Sequence, residues 1–186
     1  MQNKLPVINT TNRARLLPPE YCRANAYTFK LDDPSDFADI DPLNTQALIA
    51  HSNMLLTQHN AILGIGRYAE ARRLYQHPQY EAEPIMVHLG LDLSAPVGTP
   101  LFAPLDGCIH SFQDNAEGGN YGPTVILKHE IDQSIFYSLY GHLSRNDLQQ
   151  FTIGDKITTG EEFGHIGSHI ENGGWPPHVH VQLVLD

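Results

Sequence analysis

The sequence predicts a mostly β fold, an antiparallel sheet or sandwich-like domain carrying a short helical N-terminal extension, and three observations point to it. From Pro84 onward, β-rich runs are punctuated by Gly, Pro, Asn and Asp, the spacing of antiparallel strands and their turns. Before Glu83 the apolar residues recur instead at helical intervals. At 186 residues, the chain has room for one domain with a well-buried core plus an extension. The division falls near Glu83-Pro84, giving residues 1–83 as extension, with a loop and two helices, and 84–186 as the β domain.

Taken in order, "MQNKLPVINTTNRARLLPPEYC" has neither the apolar core nor the small-residue cleavage site of a signal peptide. No later segment is apolar enough to span a bilayer. The expected location is therefore cytoplasmic, or extracytoplasmic if a signal has been removed. The acidic, Pro-broken "LDDPSDFADIDPLN" lacks the central Gly and closing Glu of a calcium loop and reads as a solvated loop. Residues 1–45 contain no histidine, and their Asn and Asp side chains are able to reach a metal, so this stretch is a candidate for blocking a groove. Asn44 or Thr45 is placed to cap a helix in which Leu48, Leu55 and Ile62 share a face until Gly64 and Gly66 stop it. "RYAEARRLYQHP" predicts a second short helix through Tyr68, Ala71 and Tyr75, closed before Pro78. Gly64-Ile65-Gly66 follows a helix and lacks a third glycine, so it is not a dinucleotide fingerprint. Strands are predicted near 86–93, 100–103, 107–113, 123–130, 134–142, 162–167 and 178–184. The Gly-rich loops "QDNAEGGNYGP" and "HIENGGWPP" carry no Lys to cradle a phosphate.

Charge removes whole classes of partner. Eleven Lys and Arg against 21 Asp and Glu leave a net charge of −10, which opposes binding to nucleic-acid phosphates or anionic membranes. Cys22 and Cys108 form no C-x-x-C pair and fit neither a disulfide framework nor a zinc knuckle. The sequence sets no oligomeric state.

The chemistry rests on the histidines. On a strand, His178, His180 and Gln182 share one face while Val179, Val181, Leu183 and Leu185 share the other. The valine and leucine face is core, so the imidazoles look into a groove or onto solvent. In "HLGLD", His88 and Asp92 fall on one strand face with the small Gly90 between them. Two imidazoles and a carboxylate form the donor set that suits Zn²⁺, and three protein ligands leave a fourth position for water or substrate. With no H-E-x-x-H, a helix-borne glutamate base is missing. The available proton acceptors are His142 in "SLYGHLS", sharing a strand face with Ser138 and Tyr140, and whichever of His178 and His180 does not bind metal. A lone histidine is ordinarily a core or surface residue, which is the reading of His51, His59, His110, His165 and His169, with His129 in the core or supporting the site.

These residues resemble the lysostaphin and LytM-type zinc endopeptidases over most of 85–184. "HLGLDLSAPVGTPLFAPLDGCI" is similar to that family's opening block, "SLYGHLS" to its middle histidine, "IGDKITTGEEFGHIGS" to its glycine-turn segment and "PPHVHVQL" to its closing H-x-H. The resemblance implies His88, Asp92 and His180 as zinc ligands and His142 and His178 as the catalytic pair. It also implies a groove between antiparallel sheets and a peptide substrate, often from peptidoglycan cross-links. Where relatives commonly carry Thr-Gly-Pro before the H-x-H, this chain has Trp175-Pro176-Pro177. "LGIGRYAEARRLY" resembles modules fused to aminotransferase-like enzymes, which implies a cytoplasmic substrate and a fused or partner enzyme as an alternative. A second alternative is a non-catalytic binding or regulatory module on the same fold.

Overall fold

Alternation along one strand sets the architecture. In the computed structural model, which describes residues 12–21, 23–32, 34–37, 39–72 and 87–185, β12 (Val179–Leu185) turns Val179 into the core and His180 and Gln182 to the opposite face. It lies between β5 (Leu91–Ser94) and β9 (Ser134–Gly141), antiparallel to both. Outward from β9 come β8 (Gly122–Ile131), β7 (Gly107–Asn115) and β10 (Lys156–Ile157). Outward from β5 come β2 (Leu63–Gly66) and β1 (Ala26–Thr28), completing, among the described residues, an eight-stranded sheet in which only the β1–β2 pair is parallel. Two ribbons stand apart: β6 (Pro100–Phe102) with β11 (Glu162–His165), and β3 (Glu70–Ala71) with β4 (Val87–His88).

The core fills one face of the large sheet. Val125 and Leu127 of β8, Tyr140 of β9 and Val179 of β12 pack with Leu101 and Phe163 from the β6–β11 ribbon, and Tyr140 meets Phe163 with ring centroids 4.8 Å apart. This is the sandwich-like layering the alternation predicts. Each aliphatic side chain so buried contributes about 1.5–3 kcal/mol. The apolar face of β12 is core only over its first half, because Leu183 and Leu185 are 54% and 41% exposed.

The region before residue 72 differs most from expectation. α2 (Thr45–Gln58) begins as predicted, with the Asn44 side chain accepting from Ala47 N at 3.0 Å and Leu48 and Leu55 buried. It ends at Gln58, before the glycines, and Ile62 is exposed. Gly64 and Gly66 belong to β2, where a Cβ would stand 2.3 Å from the Phe29 ring and 2.5 Å from Arg72 Nη2 respectively. They are small because other side chains lie against them, a long-range cause invisible in local spacing. The expected helix through Tyr68 and Ala71 is instead a turn and the strand β3, while Tyr75 lies outside the described residues. The acidic loop holds one short helix, α1 (Pro34–Phe37). The strand expected over 86–93 is two strands, β4 and β5, with a break at Leu89-Gly90.

Candidate metal centre and its groove

Register brings the first two residues together. His180 of β12 is the direct cross-strand partner of Asp92 of β5, and both lie on the face opposite the core. His88 arrives from β4 around the Leu89-Gly90 break. A Cβ on Gly90 would stand 2.5 Å from His180 Cε1 and 2.6 Å from Val181 O, so the missing side chain makes room for the His180 ring rather than directly for an ion.

Three donor atoms then form a small triangle. His88 Nε2 lies 2.9 Å from His180 Nδ1 and 3.1 Å from Asp92 Oδ1, and His180 Nδ1 lies 3.0 Å from Asp92 Oδ1. Tetrahedral zinc with bonds of about 2.0–2.1 Å needs ligand separations of about 3.3 Å, so small outward movements would seat it. The outer nitrogens fix the ring states. His88 Nδ1–H donates to Arg67 O at 2.8 Å and His180 Nε2–H to Gln182 Oε1 at 3.3 Å, which leaves the lone pairs of His88 Nε2 and His180 Nδ1 facing Asp92. All three residues are buried, and among the described residues this is the one cluster of His, Cys, Asp or Glu side chains able to hold a metal ion. Its donor chemistry fits zinc.

Asp92 has a second partner that the sequence did not reveal. Its Oδ2 accepts from Arg72 Nη1 at 2.6 Å, and Arg72 Nε donates to the buried Glu70 at 3.1 Å. Glu70 also accepts from Arg67 Nε at 3.0 Å and from Leu31 N at 3.2 Å. Burial alone would raise the Asp92 carboxyl, but the imidazoles of His178, His180 and His88 and the Arg72 guanidinium outweigh it and hold Asp92 well below its ordinary range. No local pattern marks Arg67, Glu70 or Arg72. Only the β3–β4 pairing, Glu70 opposite His88, carries them to the site.

His142 and His178 stand next to the triangle. His142 follows the end of β9 with φ of 63°, so its ring leaves the Ser138 and Tyr140 face it was expected to share. That left-handed backbone costs about 1–3 kcal/mol, and it is held by His142 N donating to Tyr121 O and Gly167 N donating to His142 O. His142 Nδ1–H donates to Asn172 O and His178 Nδ1–H to Pro176 O, each at 2.7 Å. In the neutral rings Nε2 is therefore the bare acceptor. The ring centroids are 4.2 Å apart, and His178 Nε2 is 3.7 Å from Asp92 Oδ1. Burial, followed by the neighbouring His178, pushes His142 well below the usual imidazole range, and burial also lowers His178.

All five residues line one cavity of about 750 Å³. Its other walls include Phe29, Leu31 and Leu48 from the segment before residue 72 and Tyr121 and Trp175 from the Gly-rich loops. The other described histidines lie elsewhere. His129 is buried among sheet residues, His165 faces Asp147, His169 meets Gln46, His51 bonds Asp36 O, His59 stacks on Tyr27, and His110 sits beside Tyr137.

Known proteins match the same stretch. Peptidase family M23 matches residues 86–186. The chain is 30% identical over 102 residues to the peptidoglycan DD-endopeptidase ShyC of Vibrio cholerae, covering 55% of this chain and 21% of that protein. It is 34% identical over 111 residues to the DD-carboxypeptidase/endopeptidase Mpg of Neisseria meningitidis, covering 58% and 23%. The chain thus spans roughly a fifth to a quarter of the length of these curated relatives. Among solved structures, it is similar to the catalytic domain of lysostaphin from Staphylococcus simulans, at 26% identity, a TM-score of 0.43, and coverage of 54% of this chain and 68% of that one.

Proposed function

From the premise that the chain belongs to peptidase family M23, we propose that it is a zinc-dependent endopeptidase of the peptidoglycan-directed kind, hydrolysing a peptide bond with a metal-activated water. His88, Asp92 and His180 are the proposed ligands, and His142 and His178 the catalytic pair. The observation that carries this reading is the convergence of three ligand atoms and two backbone-anchored imidazoles in one cavity.

Bound there, zinc would supply a Lewis acid and lower the pKa of a coordinated water toward neutrality. The protein's own part is proton handling. With Nδ1 tied to a carbonyl, each ring presents Nε2 as an acceptor, and burial keeps both rings neutral and able to act as general base. The ring that has taken the proton becomes an Nε2–H donor. In that form it hydrogen-bonds the charged substrate oxygen or gives the proton to the leaving amine. Asn172 and Pro176 hold both rings in the required tautomer. Peptidoglycan as substrate is supported by the relatives' named activities.

The test is elemental analysis of the purified protein beside Asp92→Ala and His180→Ala, together with mass spectrometry of peptidoglycan fragments after incubation. About one zinc per chain, lost in both variants, and new amine and carboxyl ends in the digest are expected. A native protein that takes up no zinc when offered it refutes the metal reading. Zinc uptake with peptidoglycan intact, but another peptide cut, moves the substrate and keeps the chemistry.

A further inference from the structure

We infer that the segment Arg67–Arg72, outside the residues matched to the family, is the outer shell of the metal centre, and that Arg72 is the positioning residue restricting Asp92 to a single ligand oxygen. The inference rests on the metal reading above. Two contacts from this segment reach two of the three proposed ligands. Arg67 supplies the carbonyl that accepts a hydrogen bond from His88 Nδ1–H, at 2.8 Å, and so turns Nε2 inward. Arg72 Nη1 holds Asp92 Oδ2 at 2.6 Å, leaving Oδ1 toward the imidazoles. The segment is locked to the ligand strand by backbone, through Ala69 N donating to His88 O at 2.8 Å and Glu70 standing opposite His88 in register.

The arginine is itself aimed. Its Nε donates to Glu70 Oε2 at 3.1 Å, and the Glu70 side chain is 1% exposed, so the guanidinium is stretched between two buried carboxylates. A planar fork spans two acceptors in fixed directions, whereas a lysine ammonium is a point charge on a flexible stem. Gly66 completes the passage, since a Cβ there would lie 2.5 Å from Arg72 Nη2 and 3.1 Å from Asp92 Oδ2. A buried ion pair is weak evidence for stability. Its clear geometric consequence is orientation: with Oδ2 engaged, Asp92 would offer a metal one oxygen, so the three residues would supply three donor atoms and leave a fourth position open.

The test compares wild type with Arg72→Met, Arg72→Lys and Glu70→Gln, reading zinc affinity by chelator competition and the visible absorption of the cobalt(II)-loaded proteins. Zinc binding weaker by about 10–100-fold in Arg72→Met is expected, with less recovery in Arg72→Lys than retained charge alone would give. The cobalt band should fall in intensity as Asp92 turns to bind through both oxygens and coordination number rises. Glu70→Gln should shift both readouts the same way by less. If Arg72→Met does not fold, Arg72→Lys and Glu70→Gln decide the matter. Wild-type affinity and spectrum in the folded variants, or full recovery in Arg72→Lys, overturns the inference alone. Absence of zinc binding in wild type removes the metal reading and the inference with it.

Discussion

His129 and the pair His142 and His178 are buried imidazoles of one protein, yet they have opposite chemical prospects. His129 lies on the core face of β8 in line with Val125 and Leu127, and burial lowers its pKa as it does for the other two. The difference is in the second nitrogen. His129 Nδ1–H donates to Asp106 O at 2.8 Å, and its Nε2 accepts from the Ser138 hydroxyl at 2.6 Å, so both nitrogens are used. His142 and His178 also spend Nδ1 on a carbonyl, but their Nε2 atoms open toward the cavity. Burial and a shifted pKa therefore do not identify a working histidine. An Nε2 left without a hydrogen-bond partner among the described residues, in the cavity beside His88, Asp92 and His180, is what makes His142 and His178 the proposed pair, whereas the His129–Ser138 pair, which superficially looks like a nucleophile with its base, is a closed structural contact.

Replacing His142 with Ala attacks the open side of this contrast. Hydrolysis should fall by about 10²–10⁴-fold in kcat/KM with zinc content unchanged, measured by product release and elemental analysis on one preparation. Retained hydrolysis in the zinc-loaded variant would make His142 as structural as His129. Gly90→Ala leaves His142 and His178 in place and acts instead on the proposed ligand His180. The new methyl would meet His180 Cε1 at 2.5 Å and backbone Val181 O at 2.6 Å, so zinc affinity should drop about tenfold or more, read by chelator competition. On the closed side, His129→Leu should leave kcat/KM per folded molecule unchanged. Its cost is in stability, about 1–3 kcal/mol for the stranded Ser138 and Asp106 groups, read by urea unfolding.

The smallest effect is in pH. Folded His129 resists a proton that the unfolded chain accepts near pH 6.5. Unfolded molecules thus bind more protons as pH falls below that value, and wild-type stability declines there. In His129→Leu this contribution vanishes, so the stability difference between wild type and variant should narrow on acidification from about pH 6.5. A difference that widens or stays constant would contradict the assignment of His129 as neutral in the folded state.

Sequence exposed the parts of the site whose spacing is local. The H-x-H alternation of β12, the His88 to Asp92 interval and the strand runs after residue 100 follow from period-two geometry, which each segment carries within itself. What escaped is set by distant partners. Gly64 and Gly66 looked like a helix stop, but their smallness answers to Phe29 and Arg72. His142 was expected on the Ser138 and Tyr140 face, and a positive φ, fixed by contacts to Tyr121 and Gly167, turns it away. Arg72 and Glu70 carry no periodic signal at all, because a buried charge pair is defined by the partner it meets across strands.

The place of β12 in the sheet has a consequence for timing. This strand is synthesised after every other described strand and yet inserts between β5 and β9, carrying His180 to Asp92, 88 positions earlier in the chain. Pairings between such distant segments are slow to form, since the loop between them must close before any contact rewards it. A partly made polypeptide that lacks β12 therefore holds His88 and Asp92 without His180. On the proposed metal reading, the three-residue site is complete only once β12 has docked, so metal binding and any hydrolysis that depends on it would follow the pairing of β12 with β5.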